Sequence, residues 1–289
     1  MHDIRRAVTT ISLAVFWIAP AGLTYAADLG NADVPRYTAS APPSDRWSFA
    51  FTTYGWIPWM SGNMAIKGHN FDVNVDPSQI YGNLDWSSLP AWMSYAEARR
   101  GPIGLFNDIV YANLTNSKRF QKELPGPLPP LSVAGGLSVD YTQVTVEFGG
   151  AYEIWSGRSP ITTGSTAVDV LAGGRYWHQD VDVSATLNSL SAVKSGSVDW
   201  TDPFIGARLR NQIGNGQELM VRADVGGFGV GSDFSWQVLA TYNWQMCVHS
   251  GYVLDGYVGY RALSVDFTQG GYKYDVLQQG PVVGTTLHF

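Results

Sequence analysis

In stretch after stretch of this chain, charged side chains fall on one face of a two-residue repeat and apolar side chains on the other. Over 137–154, Val144, Val146, Phe148, Tyr152 and Ile154 lie on one side, with Tyr141, Gln143, Thr145, Glu147 and Glu153 opposite. Over 166–180, Val168, Val170, Ala172 and Tyr176 oppose Asp169, Gly173 and Arg175. Over 217–229, Leu219, Val221, Ala223 and Val225 oppose Glu218, Arg222 and Asp224; over 251–267, Leu254, Val258, Tyr260 and Ala262 oppose Asp255, Tyr257 and Arg261. Side chains alternate across a strand, so the pattern specifies β structure with two unlike faces. The polar faces carry Arg with Asp or Glu, which form planar bidentate pairs suited to an enclosed space; a face open to bulk water usually carries lysine.

The same period marks ten strands: 46–57, 91–100, 103–115, 137–154, 166–180, 198–211, 217–229, 233–246, 251–267 and 272–289. Their connections alternate. Those at 100–102, 155–165, 212–216 and 247–250 form one set, and those at 116–136, 181–197, 230–232 and 268–271 the other, which includes the two longest. Short turns on one side and longer loops on the other, with apolar faces outward, predict an all-β fold: a transmembrane antiparallel up-and-down β-barrel of about ten strands. Eight and twelve strands are the alternatives, depending on how 59–90 is used. The expected location is the outer membrane of a Gram-negative bacterium, with both termini periplasmic.

The last strand fits this reading. Phe289, Leu287, Thr285, Val283 and Pro281 fall on a face suited to lipid, and His288, Thr286, Gly284, Gly280 and Gln278 on a face suited to a polar lumen. In the first strand Trp47, Phe49, Phe51 and Thr53 face lipid. On 233–246, Trp236 and Trp244 bracket Val238, Ala240 and Tyr242 on the apolar face. At about 3.3 Å per residue and a tilt of about 40°, they lie roughly 20 Å apart along the membrane normal. That approaches the roughly 25 Å band between aromatic girdles, so Trp47, Tyr152, Trp236, Trp244 and Tyr260 are assigned to girdles.

At the amino terminus, Arg5 and Arg6, an apolar run over 7–19 and the small residues before Ala27 form a secretory signal, 1–26. The apolar run is shorter than the roughly 20 residues a membrane-spanning helix needs. Residues 27–45, rich in Pro, Ala, Ser and Asp, read as a flexible periplasmic leader, and 46–289 as the barrel with an irregular insertion at 59–90. Within the insertion, 64–67 and 71–75 pattern as a small hairpin. Asp76, Pro77 and Gln79 supply a cap, a first helical residue and a reciprocal cap contact. That helix either plugs the barrel mouth or lies in a surface loop.

Charged residues make up 15% of the chain and the formal charge is -6, so there is no basic patch of the kind nucleic acid requires. Cys247 is the sole cysteine and reads as a tolerated turn residue. No metal site or cofactor is expected.

The chemistry of the chain concentrates in the lumen. Glu97, Asp108 and Glu147 fall on three consecutive strands at similar heights, with Arg222 and Asp224 farther round; Arg208, Arg210 and Arg222 are their expected counter-ions. Arg175 with Asp202, and Asp169 with Arg208, match across adjacent strands, and Asp255 and Arg261 share the lumen face. Together these define a salt-bridged constriction that either rigidifies the barrel or filters solutes. An enzyme is not expected, although His249 beside Ser250 and His178 near Asp180 and Asp182 are the positions where a barrel enzyme acting on lipid or peptide would carry its base.

The runs GWIPWMSG (55–62), SYAEARRGPIGLFNDIVYANL (94–114), RADVGGFGVGSDFSWQVLATYNWQ (222–245), GYVGYRAL (256–263) and the ending QGPVVGTTLHF resemble small outer-membrane barrel proteins of alphaproteobacteria, loosely grouped with OmpA-type and opacity-type surface barrels. The resemblance covers nearly all of the chain after the signal. It implies outer-membrane lipid and lipopolysaccharide as surroundings, and periplasmic chaperones with the barrel-assembly machinery as partners during insertion, with Phe289 as the recognition signal. The expected function is a structural or surface barrel with at most slow passage of small solutes; a selective channel for small hydrophilic solutes is the alternative.

Overall fold

The computed structural model describes residues 46–66, 69–124, 131–187, 190–249 and 251–289; the signal and leader expected over 1–45 lie outside them. The chain forms β1 (Ser48–Trp56), β2 (Trp59–Ile66), β3 (His69–Val75), α1 (Pro77–Gly82), β4 (Ala91–Arg100), β5 (Ile103–Leu124), β6 (Leu131–Arg158), β7 (Ser165–Leu187), β8 (Leu190–Gly214), β9 (Gln217–Gly226), β10 (Phe234–His249), β11 (Tyr252–Gln269) and β12 (Tyr272–His288). From β4 onward each strand pairs antiparallel with the next, and β1 closes the ring by pairing with β4 on one side and β12 on the other. The result is a closed ten-strand antiparallel barrel.

The first wall position is shared. β12 is long enough to pair with β1 over its second half and with β2 over its first, so β1 and β2 act as one strand broken at Ile57 and Pro58. Proline cannot donate to the ladder, which explains the break. Gly280 faces it so closely that a Cβ there would sit 2.2 Å from the Ile57 carbonyl oxygen. β3 folds back on β2 as the hairpin expected from the pattern, with Met64 opposite Phe71.

The helix forms with its full capping box: the Asp76 carboxylate accepts from the Ser78 and Gln79 amides, and the Gln79 side chain accepts from the Asp76 amide. It is not a plug. None of its residues is buried, and the chain after it runs along the free edge of β5, where the Asp85 and Thr115 amides bond to the Asn113 and Asn83 carbonyls at 3.0 and 2.6 Å. β4 is too short to cover that part of β5, so the segment completes the wall.

Two further differences from the sequence reading concern strand ends. The spans 116–136 and 181–197 are largely strand, because β5–β6 and β7–β8 continue as long hairpins past the rest of the wall. β9 stops earlier than the pattern suggested, since Gly227, Phe228 and Gly229 all take positive φ (87°, 52° and 72°) and turn the chain. β10 continues to His249, so Cys247 lies on an exposed strand end rather than in a turn.

The barrel has unlike ends: one carries the short turns, Ser48 and Phe289, and the other the long hairpins. At the first, the seam is tied by reciprocal Phe49–Phe289 backbone bonds of 2.8 and 3.0 Å, with the two rings stacked 5.7 Å apart. The outer surface is apolar: Phe49, Phe51, Leu105, Phe148, Val170, Ile205, Val221, Val258 and Val283 are all exposed.

Candidate functional site

The barrel interior holds three layers, each placed by strand parity. Nearest its middle lies an ion-pair cluster built by β5, β6, β7, β9 and β11. Arg175 Nε meets Glu147 at 2.9 Å and its Nη2 meets Asp224 at 2.6 Å; Arg222 Nη2 bridges the same two carboxylates at 2.7 and 3.0 Å. Arg261 joins Glu147 at 3.1 Å to Asp108 at 3.0 Å. Tyr54 donates to Asp108 at 2.5 Å, and Gln237 accepts from Arg261 Nε at 2.7 Å while its amide nitrogen reaches Asp224 at 3.2 Å.

A second cluster lies toward the short-turn end on β4, β6, β7 and β8. Arg208 binds Glu97 at 2.6 Å and Asp169 at 2.8 Å. Arg99 reaches Glu97 and Asp169 at 3.2 and 3.1 Å, and Arg210 reaches Glu153 and Asp169 at 3.0 and 3.2 Å. Each cluster contains three guanidinium groups and three carboxylates: Arg175, Arg222 and Arg261 with Asp108, Glu147 and Asp224; Arg99, Arg208 and Arg210 with Glu97, Glu153 and Asp169. Taking charges out of water is costly, and it is offset here because every member has two or more polar partners.

The guanidinium planes also rest on rings. Arg222 lies 5.1 Å from the Phe106 centroid and 5.4 Å from Phe204, Arg175 5.2 Å from Phe204, and Arg261 4.9 Å from Trp56.

Beyond the central cluster, toward the long hairpins, the lumen is apolar. Trp177 and Trp200 are cross-strand partners with rings 5.5 Å apart, and Phe267 stacks on Trp200 at 4.0 Å. Leu263, Val265, Tyr274 and Val276 pack around them, all at 1% exposure or less. Gln179, Gln278, Gln143 and the Tyr272 and Tyr274 hydroxyls link up at the edge of this layer. Toward the short-turn end the lumen opens instead into a vestibule with room for water-molecule centres over about 160 Å³, reaching from Arg222 and Arg261 out to Gly216, Gln217 and His288.

The residues singled out from sequence divide accordingly. Glu97, Asp108, Glu147, Asp169, Arg175, Arg208, Arg222, Asp224 and Arg261 converge in the two clusters. Asp202 does not: it is in register with Arg175, yet accepts from the Ser232 amide at 2.6 Å and makes no ion pair with any described residue. Asp255 stands at the vestibule mouth, 3.0 Å from His288 Nε2, away from the constriction. Asp108 pairs with Arg261, not with the arginines of β8. Arg99, Gln237 and the Trp177–Trp200–Phe267 stack were not anticipated, nor was the part that Glu153, read on the polar face, takes in the second cluster. Lumen parity marks all of them, but the expectation of a polar interior hides aromatic residues that obey the same parity.

On the outer surface, Trp47, Tyr152, Trp236, Trp244 and Tyr260 all face outward, but Tyr260 pairs with Ala240, midway between Trp236 and Trp244, and belongs to neither girdle. His178 does not gather Asp180 and Asp182; its cross-strand partner Asp199 takes its Nδ1 at 2.7 Å and the Tyr176 hydroxyl at 2.5 Å. His249 is exposed at the end of β10, and Ser250 lies outside the described residues. No cluster of three or more metal-ligating side chains occurs among the described residues.

No family model matches the sequence, and no curated protein matches it. Among solved structures, the chain is similar to the translocator domain of autotransporter NalP from Neisseria meningitidis, at 10% identity and a TM-score of 0.34, covering 83% of this chain and 87% of that one. It is also similar to the CymD monoaromatic hydrocarbon channel, at 10% identity and a TM-score of 0.28, covering 85% of this chain and 88% of that one.

Proposed function

We propose that this chain is an outer-membrane β-barrel of structural or surface type, with its short turns in the periplasm and its long hairpins outside, and with a lumen closed to rapid conduction. The outward apolar surface and the closed hydrogen-bond ring support the membrane assignment, because a spanning sheet must leave no backbone group unpaired in lipid. By resemblance it is proposed to belong with the small surface barrels of alphaproteobacteria, with lipopolysaccharide around the barrel and periplasmic chaperones and the assembly machinery as its partners during insertion.

The observation that carries the closed-lumen reading is the succession of two obstructions along one axis. An ion crossing the barrel meets the Arg175–Glu147–Arg222–Asp224 cluster and then the Trp177–Trp200–Phe267 stack, each of it buried. A ten-strand barrel is narrow enough for side chains of this size to fill it. The chain is proposed to act without cofactor, metal or enzymatic turnover. Planar-bilayer recording of the refolded protein, first shown to be folded by a heat-dependent gel shift, tests this: silence is expected, and steady salt-dependent current steps would establish the selective channel instead.

A further inference from the structure

The two ion-pair clusters are neutral by composition, so the arginines at the vestibule floor bring no net positive charge to it. What remains charged on the vestibule wall is acidic. Asp255 is met by His288, but Glu218, on β9 one residue above the short turn, makes no hydrogen bond or ion pair with any described residue, and Arg208, Arg210 and His288, the groups that attract it through space, are engaged by Glu97, Glu153, Asp169 and Asp255. Its cross-strand neighbours are the amides Gln212, whose side-chain oxygen already accepts from the Ser165 hydroxyl at 3.0 Å, and Asn243, which carries a further carbonyl acceptor. Deeper in the vestibule the wall becomes apolar at Met220, Leu239, Tyr257 and Val282.

A carboxylate without a hydrogen-bond partner, the Asn243 amide beside it and an apolar wall behind fit one kind of ligand. A bare divalent cation is disfavoured, since the described residues offer no cluster of three metal-ligating side chains. An anion would meet Glu218 and Asp255 on entry. We propose that the vestibule is a binding site for small organic ammonium compounds, with the ammonium donating to Glu218 and the apolar body resting on Met220, Leu239, Tyr257 and Val282. The site is blind at its inner end, so it retains a solute from the short-turn side without passing it on. The binding assignment goes beyond the proposed function, and retention without passage rests on its closed lumen.

The test is calorimetric titration of the refolded, detergent-solubilised protein with benzylammonium chloride, and with benzyl alcohol as the neutral isostere. Saturable binding of the ammonium, weaker binding of the alcohol, and a loss of about tenfold or more in Glu218→Gln, as removal of a charged hydrogen-bond partner implies, are the expected results. Asp199→Asn, on the outer surface, should bind as the parent does. If Glu218→Gln fails to fold, Met220→Trp, which fills the vestibule, should abolish binding in its place. Equal affinity for the alcohol, unchanged affinity in the folded variant, or no saturable heat with the parent protein would overturn the proposal.

Discussion

Arg175 and Asp202 face each other in register across β7 and β8, both fully buried, yet they form no ion pair. The guanidinium turns to Glu147 and Asp224, and Asp202 instead holds the Ser232 amide at the β9–β10 turn. The two carboxylates therefore differ in what they support. Glu147→Gln deprives three arginines of a shared charge and should cost about 3–5 kcal/mol, as breaking a buried pair does. Asp202→Asn keeps an oxygen for the Ser232 amide and should cost about 1 kcal/mol or less. Urea unfolding of the barrel in detergent measures both.

The aromatic layer fills its level of the barrel interior by packing. Trp200→Ala removes the ring between Trp177 and Phe267 and should destabilise the barrel by about 3–5 kcal/mol. It should not produce current by itself, because the central ion cluster still crosses the axis. Bilayer recording of Trp200→Ala alone, beside Trp200→Ala combined with Arg261→Ala and Glu147→Ala, checks this order: steps are expected only from the combined variant.

Much of this was legible from the strand period, and the places where it failed share a cause. Wherever one face meets an apolar surface and the other an enclosed one, alternation is enforced, and β4, β7 and β9 to β12 begin within a residue of where the pattern put them. Past that band, in the outer parts of β5 to β8, no such surface enforces it, so strand looks like loop. Ion-pair identities were less legible than lumen membership, because Arg reaches across the bore: register alone would join Arg175 to Asp202, while Arg261 on β11 finds Asp108 on β5.

Depth on the outer surface offers a direct test of the membrane reading. Tyr260 sits midway between Trp236 and Trp244. Tyr260→Arg should cost about 2–4 kcal/mol in a bilayer and Trp244→Arg, near the interface, about 0–1 kcal/mol for the charge itself. Reversible unfolding from lipid vesicles gives the two values, and equal costs would contradict the proposed span.

Phe289 closes the seam at the short-turn end by stacking on Phe49. As the proposed assembly signal, it should matter more to insertion than to the finished fold: Phe289→Ala is expected to reduce heat-modifiable barrel in membranes several-fold while the refolded protein unfolds near the parent's midpoint. Phe49→Ala, which removes the same stack from the other side, separates the contact from the signal.

Outside the strands, at the start of α1, the Asp76 carboxyl is held below the usual carboxylate range by the Ser78 hydroxyl and the backbone amides it caps. A depressed value means the contribution is present above the ordinary carboxylate pKa and is lost as pH falls through the lowered one. Proteolysis of the 77–90 segment should thus rise in Asp76→Ala at neutral pH, and in the parent only in acid below the usual carboxylate range.

The balance of three guanidinium groups against three carboxylates in each lumen cluster has an electrical meaning. A transmembrane voltage does work on net charge, roughly 2.3 kcal/mol per elementary charge per 100 mV. A cluster that moves as a unit with no net charge gives that voltage little to act on, so the proposed closed lumen is expected to open no more readily under an applied potential than without one.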